Sequence, residues 1–157
     1  MKKIYNLLII IIFLPLLYSC GYTPIFSSQN VEIKFISQVY EGDVSLGADI
    51  YSKLNNLLIP SPGAKEVSII IKTLKNKETR SKSKTGEEIE YKITINSVIK
   101  IIDVMSGTIL LNKKIILSEN YKIQDTSFES ETLENKTVNN LIDRISQNLL
   151  LSVSQLL

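Results

Sequence analysis

Residues Glu88 to Ile102 constrain the fold more than any other stretch of the chain. Ile89, Tyr91, Ile93, Ile95, Ile99 and Ile101 fall on odd positions, and Glu90, Lys92, Thr94, Asn96 and Lys100 on even ones. Successive side chains of a strand point to opposite faces. A strict period of two over more than ten residues therefore predicts a strand with one apolar and one polar face. Such a strand belongs to a sheet that is covered on one side.

The rest of the chain supplies the cover. Val31 to Ser37 alternates, with Val31, Ile33 and Phe35 on one face, and predicts a first strand. Val44 to Ile59 predicts a helix, because Leu46, Ile50, Leu54, Leu57 and Leu58 line one side of a 3.6-residue period. Ser45 suits its N-cap, and Pro60-Ser61-Pro62-Gly63 ends it. Glu66 to Leu74 predicts a second strand, with Val67, Ile69 and Ile71 facing the core. Lys75 to Gly86 is polar, basic and aperiodic, and reads as a loop or frayed hairpin. Asp103 to Gly107 is a turn, and Thr108 to Ser118 the returning strand. After a loop at Glu119 to Asp125, Thr126-Ser127-Phe128-Glu129 has the form of a capping box. Glu129, Glu131 and Glu134 put negative charge near that helix start, where the macrodipole favours it. Val138, Leu141, Ile142, Ile145, Leu149 and Leu156 form its buried stripe. The predicted fold class is α+β. It is a two-layer sandwich in the order β-α-β-β-β-α, with two helices packed on one face of a four-stranded mixed sheet and a right-handed first crossover.

The 157 residues allow one ordinary domain. Ahead of it, Lys2 and Lys3 precede an almost wholly apolar run from Ile4 to Tyr18, followed by Ser19 and Cys20. A basic start, an apolar middle and a small residue at the break make a secretory signal peptide. About 15 apolar residues interrupted by Pro15 fall short of the ~20 that a spanning helix needs. Cys20 is the single cysteine, so an internal disulfide is impossible. Leu17-Tyr18-Ser19-Cys20 resembles the bacterial lipobox, in which the Cys receives a covalent diacylglycerol and, after cleavage, an N-acyl chain. The expected division is 1–19 as lipoprotein signal peptide, 20–30 as lipidated Cys20 and tether, and 31–157 as one domain. Gly21 in the second mature position favours sorting to the outer membrane.

The charge balance narrows function. Eighteen basic and 16 acidic residues differ by two, and Lys2 and Lys3 are that surplus. The mature domain is neutral, which argues against a nucleic-acid partner. With no His and one Cys the chain can build neither a Ser-His-Asp nor a Cys-His centre, nor the usual zinc ligand sets. No GxGxxG or GxxxxGK[ST] motif is present. No enzyme and no cofactor is expected beyond the lipid on Cys20. One local exception to neutrality stands out. Lys72, Lys75, Lys77, Arg80, Lys82 and Lys84 lie within 13 residues, opposed only by Glu78. The strand order brings the Glu119–Asp125 loop, and with it Lys122, to the same end. Arg80, Lys82 and Lys84, with Lys75, Lys77 and Lys122 nearby, are candidates for binding phosphate or carboxylate groups, against the alternative of a merely solvated hairpin end.

Cys20-Gly21-Tyr22-Thr23-Pro24-Ile25-Phe26, Thr85-Gly86, the alternating strand with Tyr91, Asp103-Val104-Met105-Ser106-Gly107-Thr108-Ile109-Leu110, Tyr121, and Ser127-Phe128 before a long last helix follow in order. Together they resemble the LptE family of lipopolysaccharide-assembly lipoproteins in its alphaproteobacterial form. Two features depart from that family. Its last helix is usually Ala-rich and Arg-bearing, and Glu90 stands where a basic residue often precedes the strand tyrosine. The resemblance implies a β-α-β-β-β-α sandwich that plugs the outer-membrane β-barrel LptD, helps assemble it and binds lipopolysaccharide, without enzymatic activity. The alternative is a periplasm-facing lipoprotein that binds another envelope protein or a cell-wall component.

Overall fold

The computed structural model describes residues 29–155. The leader, Cys20, most of the tether and Leu156 lie outside them. The elements are β1 (Gln29–Gly42), α1 (Val44–Leu57), β2 (Leu58–Lys82), β3 (Glu88–Asp103), β4 (Ile109–Lys122) and α2 (Ser127–Ser154). The sheet order is β1-β2-β3-β4, with β1 parallel to β2 and the other pairs antiparallel. Both helices cover one face. This is the expected α+β sandwich.

The core lies where the apolar periods predict it. Val67, Ile69 and Ile71 of β2 and Ile93, Ile95, Ile99 and Ile101 of β3 are fully buried under Ile50 and Leu54 of α1 and Leu141, Ile142, Ile145 and Leu149 of α2. The local boundaries differ in several places. β4 runs on to Lys122 through most of the expected Glu119–Asp125 loop, so Lys122 lies on a strand, and α1 ends at Leu57, two residues early. Asp43, not Ser45, caps α1: its Oδ1 accepts from the Leu46 N–H at 3.3 Å. Pro60 to Gly63, past the end of α1, belongs to β2. There the register with β1 jumps from Val31↔Pro60 to Ile33↔Lys65, so the extra residues bulge out of the pairing. The segment expected to be a basic loop is strand as far as Lys82, paired with β3. Its side chains lack an apolar period because no helix covers it beyond Lys77. The ladder to β3, a Thr79 to Glu88 hydrogen bond, and the ion pairs of Lys75 and Lys77 with Glu134 of α2 hold it.

Gly42 makes the turn from β1 into α1 at φ +75, a conformation that glycine adopts without steric cost. A Cβ there would sit 2.3 Å from the Thr73 carbonyl oxygen, which already accepts from the Asp43 N–H at 2.7 Å. Gly42→Ala is therefore expected to destabilise the fold by roughly 2–4 kcal/mol, through left-handed strain plus displacement of β2. Urea unfolding checks this. An unchanged midpoint would show that the turn relaxes freely.

Candidate functional site

The β2–β3 hairpin extends past the helices and ends in a turn from Ser83 to Glu87. Ser83 N–H donates to the Glu87 carbonyl at 2.7 Å and Gly86 N–H to the Ser83 carbonyl at 3.0 Å. The Ser83 hydroxyl accepts from the N–H groups of Thr85 and Glu87. Below the turn the pairing slips between Thr79 and Ser81, and again between Ser81 and Lys82. These irregularities place Arg80 and Ile89 outside regular cross-strand pairs. Bulges of this kind re-aim side chains near a strand end.

The six basic candidates separate into two groups. Lys75 and Lys77 pair in register with Ile95 and Ile93, which puts them on the helix-covered face. Lys77 Nζ lies 2.6 Å from Glu134 Oε2 of α2, and Lys75 Nζ 3.9 Å from Glu134 Oε1. Lys77 also stands 4.2 Å over the Tyr91 ring and 5.7 Å from that of Tyr121. The Tyr121 hydroxyl donates to Glu134 Oε2 at 2.7 Å, and that of Tyr91 donates to Glu88. These lysines thus share the one Glu134 carboxylate and clasp the hairpin to α2. Arg80, Lys82, Lys84 and Lys122 are exposed and take part in no ion pair among the described residues. Lys122 sits opposite Glu90 in the β3–β4 ladder.

Between the hairpin and the start of α2 lies a shallow cavity of about 340 Å³, with Lys77, Tyr91, Tyr121, Gln124, Ser130 and Glu134 in its lining. Desolvation pushes Lys77 down, but its hydrogen bonds to Glu134 and Tyr121 outweigh this and hold its pKa above the ordinary lysine range. Burial pushes Glu134 up, and its bonds from Lys77 and Tyr121 bring it below the ordinary glutamate value. Glu134 and Tyr121 are the members of this clasp that sequence reasoning missed. Lys77 and Glu134 are 57 residues apart, and no local pattern links them.

The clasp predicts a pH window. A depressed Glu134 contributes stability above 4.5, the ordinary glutamate value, and loses it as pH falls further. A raised Lys77 contributes fully below 10.5, the ordinary lysine value, and loses it as pH rises beyond. A double-mutant cycle of Lys77→Met and Glu134→Gln should give a coupling of about 1 kcal/mol. It is modest because the Lys77 side chain is 38% exposed. The coupling should stay flat between those limits and shrink outside them. Denaturant titrations at pH 3.5, 7 and 9 check this, and zero coupling at pH 7 would dismiss the clasp.

Two further observations bound the chemistry. Among the described residues no group of three Cys, Asp or Glu side chains is placed to hold a metal ion. No described helix is long and apolar enough to cross a membrane.

No family model and no curated protein matches the chain. Solved structures do. The minor lipoprotein from Acinetobacter baumannii superposes with a TM-score of 0.60 at 14% identity, covering 81% of this chain and 94% of that one. Lipoprotein B from Nitrosomonas europaea gives 0.56 at 15% identity, covering 77% and 84%. Rare lipoprotein B from Shewanella oneidensis gives 0.54 at 13% identity, covering 76% and 94%. At such identities the likeness establishes a fold. This chain has the α+β fold of a set of bacterial lipoproteins.

Proposed function

We propose that the chain is a lipid-anchored lipoprotein of the LptE type. Acylated Cys20 holds it on the periplasmic side of the outer membrane. There it plugs and helps assemble an LptD-type β-barrel and assists the insertion of lipopolysaccharide into the outer leaflet. It acts as a binding and assembly factor, not as an enzyme. The observation that carries this reading is the lipoprotein fold joined to Leu17-Tyr18-Ser19-Cys20 at the head of the chain.

The shape of the hairpin supports it. β1 runs parallel to β2, so the end at which the tether enters lies opposite the Ser83–Glu87 turn. From the Val67↔Asp103 pair to the Lys82↔Glu88 pair the ladder covers roughly 50 Å at ~3.3 Å per residue. That matches a bilayer of about 40–45 Å including its headgroups. A plug held at one leaflet in this orientation presents Arg80, Lys82 and Lys84 towards the other. These side chains suit lipid A phosphates, Arg by bidentate bonds and Lys as a point charge.

Exposed single contacts are worth roughly 1 kcal/mol or less, so one substitution should barely register. The triple variant Arg80→Ser, Lys82→Ser and Lys84→Ser is expected to bind purified lipopolysaccharide several-fold more weakly, with an unchanged melting curve. Binding by the parent should weaken as salt rises. Parental affinity in the triple variant at low salt would reduce the tip to a solvated hairpin end.

A further inference from the structure

We infer that the helix-free face of the sheet is the surface that docks onto the barrel, and that the wall it meets carries carboxylates set among aliphatic side chains. This rests on the barrel reading above.

The register fixes the chemistry of that face. Val98 lies between Lys72 and Lys114 across the strands, with Lys100 two residues along β3. Ile70, Leu74 and Ile116 occupy the diagonal positions around Val98, and Val39 pairs beside Ile70. Diagonal neighbours on one face of a sheet come within side-chain reach. Leu74 and Ile116 are 54% and 53% exposed. The result is a chequered patch of aliphatic groups and ammonium groups that none of the described elements covers. Uncovered apolar patches on a folded surface mark interaction sites.

The two faces differ in how their cations are matched. On the helical side Lys53 pairs with Asp143, Lys75 and Lys77 share Glu134, Arg144 pairs with Glu119, and Lys113 donates to the Asn148 carbonyl and the Ser152 hydroxyl of α2. On the open side Lys72 reaches Glu41 at 3.4 Å, but Lys100 and Lys114 have no ion-pair partner among the described residues. The patch thus leaves positive charge to be met from outside, which selects a partner bearing carboxylates. A protein wall with alternating polar residues, as lines the inside of an outer-membrane barrel, can supply those carboxylates, which hydrocarbon cannot.

The test uses the full-length chain in outer membranes that contain the barrel. A photo-crosslinking residue is placed at Leu74 or Ile116 on the sheet face, and at Ser52 or Asn139 on exposed helix positions. In parallel, the double variant Lys100→Glu with Lys114→Glu is compared with Asp49→Lys on α1. The sheet-face positions should crosslink to the barrel at least tenfold more than the helix positions. The double variant should recover at least tenfold less barrel, and Asp49→Lys the parental amount. If the double variant loses its circular dichroism, the crosslinks alone decide. Crosslinks chiefly from the helix positions, crosslinks to lipid, or parental recovery by a folded double variant would each overturn the inference while leaving the barrel reading intact. A parent that recovers no barrel removes both.

Discussion

Cys20→Ala, expressed in excess over the barrel and behind a leader that is cut just ahead of residue 20, should move the protein that finds no barrel almost completely from the membrane fraction to the soluble periplasm. The size of the effect follows from the anchor. One acyl chain of myristoyl length holds a protein only marginally, with a partition constant of about 10⁴ M⁻¹, whereas two or three chains hold it essentially permanently. The described domain offers no replacement, since neither of its helices is long and apolar enough to cross a membrane. Removing the thiol removes every acyl chain at once, because the N-acyl chain is added to the same residue. Fractionation followed by immunoblotting reads the outcome. If the Cys20→Ala variant stays with the membranes in proportions like the parent, its partner and not its lipid retains it, and high-salt or mild-detergent washing then separates the two.

Ile99→Ala should have the largest effect on the fold itself. Ile99 is 0% exposed, in the middle of β3, and is paired with Ile71 of β2 and Lys113 of β4. Removing three methyl or methylene groups there loses their transfer free energy and leaves a cavity that two helices and a sheet cannot readily close. The expected cost is about 3–4 kcal/mol. The same substitution at Ile89, 46% exposed on the hairpin extension, should cost well under 1 kcal/mol. Urea unfolding of both variants checks the contrast. Equal losses would mean that the extension carries a core of its own.

That contrast also shows what is legible in a sequence of this kind. The odd-position stripe from Ile89 to Ile101 reads as one apolar face, yet only its part from Ile93 onward is core. Periodicity reports which face a residue takes. It does not report how far a covering helix reaches. For the same reason the polar segment after Leu74 reads as a loop. Its partner strand and its ladder hydrogen bonds leave no mark on side-chain pattern once both faces are wet. The capping box at Thr126 was legible because its parts are local: Thr126 accepts from the Glu129 N–H at 3.1 Å. Asp43 takes the cap for which Ser45 also has the right chemistry, because Gly42 turns the chain one residue pair earlier, against Thr73. At the hairpin end, the six cations could be gathered from strand order alone. Dividing them needed Glu134, which arrives from α2 to pair with Lys75 and Lys77 and leaves Arg80, Lys82, Lys84 and Lys122 outward. Such long-range charge pairing depends on helix position and has no sequence period.

The most direct test of a lipid-anchored plug is native mass spectrometry of the tagged full-length protein, released from outer membranes in mild detergent. The expected spectrum is a one-to-one complex with an outer-membrane β-barrel. On dissociation it should yield a chain that begins at Cys20 and carries the mass of a diacylglycerol plus an N-acyl group. A chain that begins at Met1 without added lipid, or a monomer free of any barrel from membranes in which the barrel is abundant, would contradict it.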